Sequence, residues 1–405
     1  MKKILFICLF FFSSFFLFSQ YFHTPSLLAP YYEKALESLE LDSKAAVLID
    51  AATRALLFSK NADEEIPPAS LTKLMTMNIA MNEVKAGRAS YDEFVKLTEE
   101  SWSLRQPPRS SLMFLEPEQT VTLREILLGL AIPSGNDAAV AIALRFAPSM
   151  NDFARLMTNE ARSMGLNVTR FVESSGYSEQ NITTANEFAF FCCQYINLHP
   201  DSMKNFHSVE AFSYPLSVNE SARYKNNPRT IRQVNRNFLL YDYKGVDGLK
   251  TGYIIESGYN LALTAMNDQN RFIVVLLGAS SERNRQDDGR LLLNWAFDNF
   301  KTVRPVINQV ENARLWKGKE KNVQLKIAEE ADFTSPINRS EKLYYHQIIN
   351  DPLIAPLPEN HHAGFFVISD DEGEVNRVPL LTVKSYEKGN IFKRIWHSIV
   401  LLFKK

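Results

Sequence analysis

Three short polar clusters carry the groups that could do chemistry. In "EIPPASLTKLMT", residues 65–76, Ser70 and Lys73 stand three residues apart. Pro67 and Pro68 forbid helix up to that point and suit the entrance to one, so the pattern predicts a helix opening at Ala69 or Ser70. On its first turn Ser70 and Lys73 share a face, placing a hydroxyl nucleophile beside an amine that could take its proton. The free N–H groups of a helix N-terminus could also hold an oxyanion. Ser-x-x-Lys alone is a weak signal: a chain of this length should hold about two by chance, and Ser385 with Lys388 is a second. In isolation it reads first as a capped helix with a solvated lysine.

The second cluster is Ser134-Gly135-Asn136, in the "IPSGND" break between two apolar periodic stretches. The third is Lys250-Thr251-Gly252, which follows "GVDG" and opens a strand expected from Tyr253 onward. A phosphate loop would need Gly directly before that lysine, where Leu249 stands. The seven histidines show no ligand spacing and His361-His362 sits in a loop-like stretch, so neither a metal nor a cofactor is expected. Cys192 and Cys193 are adjacent in an apolar helical stretch, which makes a mutual disulfide strained and favours buried free thiols.

Several elements must bring the clusters together. Ala45–Asp50 and Ala55–Ser59 read as a hairpin, and Leu123–Phe146 as two helices with a tight connection. Asn151–Met164 and Ala185–Leu198 are further helices. Tyr259–Ala279 is a strand-turn-strand, and Arg290–Phe300 a closing helix. Strands at both ends with helices between predict an α+β domain, residues 26–302, whose sheet joins the two chain ends. Residues 303–386 are short β-rich runs separated by polar turns, a small all-β domain, with "INDPLIAPLPEN" as a loop.

With 405 residues the chain has room for two domains, and a net charge of -1 gives no bias toward nucleic acid. Residues 1–20 are different: Lys2 and Lys3 precede an apolar run of signal-peptide length, so export is expected, with the uncleaved segment as an alternative anchor. In residues 388–405, Ile391, Phe392, Ile395, Trp396, Ile399 and Phe403 form one helical stripe flanked by Lys393, Arg394, Lys404 and Lys405. That combination predicts an amphipathic helix lying on a membrane surface.

Taken in order, Ser-x-x-Lys, Ser-Gly-Asn and Lys-Thr-Gly match the penicillin-interacting serine transferases, the DD-peptidases and serine β-lactamases. "PPASLTKLMT", "SSLMFLEPEQTVTLREILLGLAIPSGNDAAVAIA" and "VNRNFLLYDYKGVDGLKTGY" resemble the low-molecular-weight D-alanyl-D-alanine carboxypeptidases almost continuously, and the resemblance extends to the β-rich domain and basic tail. It implies a β-lactamase/DD-peptidase-like domain, an antiparallel sheet flanked by helices. It also implies a periplasmic enzyme, peripherally anchored at the inner-membrane surface, that trims the terminal D-Ala from peptidoglycan pentapeptides and is acylated by β-lactam antibiotics. By the same resemblance Ser70 is the nucleophile, Lys73 its base and Ser134 a proton relay. The N–H groups of Ser70 and Tyr253 hold the oxyanion, and Asn136 binds the peptide strand. Lys250, Thr251 and Gly252 belong to the substrate-binding strand, with Arg236 and Arg285 recognising the terminal carboxylate. Lys73 can act as a base only when neutral, and Lys250 is the expected cation that lowers its pKa.

Three positions depart from the family pattern. "ESSG", Glu173–Gly176, replaces Asn-Pro-x-Gly; Ile254 replaces a threonine; Arg54 stands where glycine is common. Glu173 opens the possibility of a serine β-lactamase, in which a carboxylate of this loop activates the deacylating water. The same scaffold could also serve as a catalytically silent wall-binding protein, which the intact motifs oppose, or as an endopeptidase, which the lack of a large insertion opposes.

Overall fold

The long apolar runs at the two ends of the first domain pair with one another, because each can satisfy its backbone only beside the other and bury both faces only between helices. The computed structural model describes residues 21–220, 226, 229–307 and 309–404, so the expected signal segment 1–20 lies outside the described residues. Strands β1 (Ala45–Asp50), β2 (Leu56–Lys60), β3 (Val246–Ile254), β4 (Gly258–Met266) and β5 (Arg271–Ala279) form one antiparallel sheet in the order β2-β1-β5-β4-β3. Every residue of β1 is buried, and alternate side chains serve two cores. Val47, Ile49, Ile273 and Val275 face one core; Leu48, Val274, Leu276 and Leu263 face the other.

The helices supply the rest of both cores. They are α1 (Ala29–Ser38), α2 (Thr72–Lys85), α3 (Leu123–Ala131), α4 (Asn136–Phe146), α5 (Met150–Ser163), α6 (Ala185–Leu198) and α7 (Glu282–Asn299). Their starts follow local chemistry: Thr122 and Glu125 make a reciprocal capping box, and Ser149 and Thr184 cap α5 and α6. The expected closing helix begins earlier than its apolar residues suggest, because Ser281 caps it and the polar segment "ERNRQDDG" forms its first turns. Likewise the third motif does not open a strand at Tyr253; it lies within β3, which starts at Val246. The helix α1 and the hairpin of Ala211–Tyr214 with Ile231–Val234 are additional elements that no strong sequence period marks.

Beyond Val303 the chain is β-rich, as its alternating runs predict. Phe300–Val303 pairs with Phe333–Pro336, and a four-stranded sheet is built from Leu325–Ile327, Gly373–Thr382, His362–Asp370 and Tyr344–Ile349. The segment expected to be all loop contains a short strand, Leu353–Ile354, parallel to Ala313–Trp316. Buried Asp50 links the two regions: its Oδ2 accepts from Thr302 Oγ1 at 2.7 Å and Thr334 Oγ1 at 2.9 Å. In the turn after Asp50, Arg54 has φ 59°, the left-handed region that favours glycine, and its guanidinium lies 5.2 Å from the Phe190 ring centroid.

The chain ends in α8 (Ile391–Leu402), capped by the Asn390 side chain. Its polar face docks: His397 Nδ1 accepts from Lys317 N at 2.7 Å, and Lys393 Nζ donates to the Lys319 carbonyl. Its stripe does not dock, for Phe392, Trp396 and Phe403 are 80, 64 and 82% exposed. Among the described residues no helix is long and apolar enough to cross a membrane. Cys192 and Cys193 are free and buried inside α6, and burial pushes the Cys193 thiol up to about 12.

Candidate active site

The nucleophile turn is held on two sides by backbone. Ala69–Leu71 form one 3₁₀ turn before α2, with Ala69 at φ 50°. Gly252 of β3 lies so close that a Cβ there would meet the Pro68 carbonyl oxygen at 2.8 Å. On the other side Gly176, at φ +78°, would place a Cβ 1.8 Å from the Ala69 carbonyl oxygen. Asn260 Nδ2 donates to the Pro67 carbonyl at 3.0 Å from the neighbouring strand. The two prolines thus start the helix inside a slot between β3 and the 173–176 loop.

Lys73 is completely buried, and its Nζ makes three contacts: Ser70 Oγ at 3.0 Å, Asn136 Oδ1 at 2.8 Å and the Ser175 carbonyl at 2.6 Å. The amide oxygen and the carbonyl can only accept. A neutral amine therefore gives them its two hydrogens and leaves its lone pair toward Ser70. Burial lowers the pKa of Lys73 to about 7, opposed by the carboxylates of Glu173 and Asp137 and assisted by the positive charge of Arg236. Lys250, the cation expected beside Lys73, does interact with it electrostatically, and Arg236 adds a second positive charge that lowers the pKa of Lys73. Lys250 is itself fully buried, and burial first, then Lys73, Arg236 and Arg285, hold its pKa well below the ordinary lysine range.

The second motif is shaped by Asp137, which follows it. This buried carboxylate accepts from the N–H groups of Met113, Phe114, Leu115 and Ala138 at 2.8–3.0 Å. Gly135 allows that approach, since a Cβ there would stand 2.6 Å from Asp137 Oδ1. Ser134 has φ 66°, is buried, and its Oγ has no hydrogen-bond partner among the described residues. Asn136 Nδ2 donates to Ser110 Oγ at 3.1 Å, and Arg236 Nη1 to Ser111 Oγ at 2.7 Å. Ser110 and Ser111 thus tie the second motif to the arginine of "NRN".

Behind the third motif His207 is wholly buried. Its Nδ1–H donates to the Leu249 carbonyl at 3.2 Å while Nε2 accepts from Tyr195 OH at 2.7 Å, and burial pushes its pKa down to about 3, which keeps it neutral. Asn237 Nδ2 holds the adjacent Gly248 carbonyl at 3.1 Å. Lys250 Nζ donates to the Thr251 carbonyl at 3.0 Å. Of the three arginines in "SERNRQDDGR", Arg283 and Arg290 turn outward to Asp287 and Asp242, whereas Arg285 is 3% exposed, bonds Glu282 at 3.1 Å and has an unpartnered buried Nε among the described residues.

These groups surround a cleft of about 310 Å³ lined by Ser70, Ser110, Ser111, Asn136, Tyr253 and Ile254 among others. Ser134, Lys250 and Thr251 are buried and do not line its opening. Glu173 serves its own loop: it accepts from Ser175 N and Oγ, both at 2.6 Å, from Gly176 N at 2.7 Å and from Asn181 Nδ2 at 2.8 Å. Among the described residues no group of acidic, His and Cys side chains could hold a metal ion. Ser110, Ser111, His207 and the Ser175 carbonyl have roles here that their sequence context does not announce, and Asp137 is a further supporting residue that the sequence reading missed. The only visible signal was Asp137, directly after Ser-Gly-Asn.

Residues 32–281 match the family model described as D-alanyl-D-alanine carboxypeptidase. The chain belongs to the D-alanyl-D-alanine carboxypeptidases. Residues 300–388 match a second model, the penicillin-binding protein 5 C-terminal domain. The chain is 31% identical to the D-alanyl-D-alanine carboxypeptidase DacC of Escherichia coli, covering 92% of this chain and 91% of that protein. DacF of Bacillus subtilis is also 31% identical, over 87% of each. Among solved structures, penicillin-binding protein 5 from Haemophilus influenzae aligns with a TM-score of 0.77 at 28% identity, covering 86% of this carboxypeptidase and 99% of that chain.

The slot around the nucleophile leads to a test. Gly176→Ala adds a methyl where the Ala69 backbone already stands, at a φ that favours glycine, and should destabilise the fold by about 3 kcal/mol or more. Urea unfolding would report the loss, with penicillin labelling falling in parallel. An unchanged midpoint and unchanged labelling would contradict the packing described.

Proposed function

We infer that the protein works as a serine-type D-Ala-D-Ala carboxypeptidase on peptidoglycan termini. We propose that Ser70, Lys73 and Ser134 carry out the reaction, on the strength of one observation above the others: an amine with pKa lowered to about 7 lies 3.0 Å from Ser70 Oγ with its other acceptors fixed. Ser70 Oγ attacks the carbonyl carbon of the penultimate D-Ala while Lys73 takes the hydroxyl proton. The N–H groups of Ser70 and Tyr253 hold the oxyanion, one from the nucleophile turn and one from the edge strand. Ser134 passes a proton to the departing D-Ala amine as the peptide bond breaks. Water then attacks the ester and returns Ser70, or an amine accepts the acyl group. A β-lactam follows the same first steps, but its leaving nitrogen stays tethered.

The terminal carboxylate of the substrate goes to Lys250 and Thr251, with Arg236 and Arg285 behind them. Burial first, then the electrostatic influence of Lys73, Arg236 and Arg285, holds the pKa of Lys250 well below the ordinary lysine range. An arriving carboxylate reverses that balance and favours its ammonium form, so recognition and protonation are linked. Asn136 Nδ2 and the exposed edge of β3 take the peptide strand. Glu173 is saturated by its own loop, which leaves it no free oxygen for the water activation that a β-lactamase would need.

We also propose that residues 1–20 direct export and that α8 rests on the periplasmic face of the cytoplasmic membrane. The exposed apolar stripe, with its polar face pinned to the β domain, supports this arrangement.

Two outcomes are expected. Ser70→Ala should abolish both covalent labelling by fluorescent penicillin and D-Ala release from diacetyl-Lys-D-Ala-D-Ala; labelling that survives would remove Ser70 from its role. Deleting residues 390–405 should cut sedimentation with vesicles containing anionic lipid by about tenfold or more. Equal sedimentation of the two proteins would remove α8 as the anchor.

A further inference from the structure

The β domain carries a cavity that the reaction does not use. It has a volume of about 450 Å³ and is shared by the strand Tyr344–Ile349 and the irregular stretch that follows Phe300–Val303. Tyr345, His346 and Gln347 line it from the strand, and Phe366 from the strand paired with it. Tyr344–Ile349 is the last strand of its four-stranded sheet, and among the described residues no strand pairs with its outer edge. The Tyr345 and Phe366 rings lie 5.9 Å apart, with Phe366 buried and Tyr345 43% exposed. Val306, Ile307, Gln309 and Glu311 line the cavity from the irregular stretch. The side chains of Gln309, Glu311, His346 and Gln347 make no hydrogen bond or ion pair among the described residues, and Gln347 Oε1 is buried without a partner. A buried amide oxygen left unpaired is destabilising in the free protein, and a ligand that supplies a donor removes that cost.

The chemistry of this lining selects its ligand. Two carboxamides and an imidazole can donate and accept, a carboxylate accepts, and Tyr345, Val306 and Ile307 offer apolar surface. Glu311 repels an anion, and a cation would find only that one carboxylate. A neutral molecule with hydroxyls, an amide and an apolar face uses every group. A pyranose that carries an acetamido substituent is such a molecule: its C–H face suits the Tyr345 ring, its methyl suits Val306 and Ile307, and its hydroxyls suit Gln309 and Glu311. Its amide suits Gln347, because the terminal torsion of a glutamine is soft and can turn either end of the carboxamide toward a ligand. We propose that the cavity binds the acetamido-sugar backbone of the wall glycan, apart from the stem peptides that the catalytic cleft takes. The inference rests on the carboxypeptidase reading only for the identity of that polymer. A hold on the glycan by the β domain raises the local concentration of its pendant peptides at Ser70.

The test titrates the full chain with two soluble probes, chitotetraose and cellotetraose, which differ in the acetamido groups, and follows binding by ligand-observed NMR. Chitotetraose should bind about fivefold more tightly or better, the worth of one hydrogen bond. Tyr345→Ala and Glu311→Gln should each weaken it by about the same factor, and Gln347→Leu should erase the difference between the probes. Glu311 is exposed in the irregular stretch, so its substitution leaves the fold undisturbed. D-Ala release from diacetyl-Lys-D-Ala-D-Ala should be unchanged in all three variants, while release from wall glycan strands bearing pentapeptides should fall about fivefold. No binding of chitotetraose, or binding that survives all three substitutions, would overturn the site. So would concentration-dependent dimers that Tyr345→Ala disperses in the absence of glycan binding, since the open edge would then be a protein-pairing strand. A full chain that binds chitotetraose and releases no D-Ala from either substrate would overturn the carboxypeptidase reading and leave the glycan site standing.

Discussion

The site depends on the burial of one amine. A lysine in water stays charged to far above neutral pH and cannot accept a proton from serine; taking Lys73 out of water lowers its pKa to about 7. Burying a cation is costly unless its hydrogens are satisfied, and the structure supplies Asn136 Oδ1 and the Ser175 carbonyl for that purpose. The same two acceptors aim the remaining lone pair. Much of the neighbouring structure can be understood as what is needed to hold those two oxygens and Ser70 around a single nitrogen.

Each holder is held in turn. Asn136 begins α4 because Asp137 binds the segment 113–115 and Gly135 lets it come close. The Ser175 carbonyl is placed by Glu173, whose carboxylate gathers the N–H groups of its own loop. Asn181 closes that loop by bonding both Glu173 and Thr72 of α2. A carboxylate in this loop therefore serves as scaffold, with a modest electrostatic pull on Lys73 that burial outweighs. On the opposite wall the neutral His207 and Asn237 fix the two carbonyls before Lys250, so β3 presents its edge in one register.

The three motifs were legible from residue type and order, and so were the hairpin β1–β2, the helices α3 to α6 and the β4–β5 pair, because each has a strong period or a clear break. Elements with weak periods were not. The first turns of α7 are polar, and only the cap at Ser281 marks them; α1 and the hairpin of residues 211–214 and 231–234 bury too little to leave a pattern. The extent of β3 was hidden because "GVDG" looks like a turn. The supporting residues were illegible for a different reason: Ser110, Ser111, His207 and the Ser175 carbonyl lie far along the chain from the atoms they contact. The contribution of Arg236 to the field at Lys73 also needed three dimensions, since the sequence pointed to Lys250 alone.

The most direct measurement of the central claim is the second-order rate of Ser70 acylation by benzylpenicillin as a function of pH. Its carboxylate does not titrate over the range of interest. A base whose pKa is lowered to about 7 is neutral above that pH and protonated below it. The rate should therefore fall about tenfold per pH unit below 7 and level off above it. A rate that keeps climbing toward pH 10, as an ordinary lysine would dictate, would contradict the account.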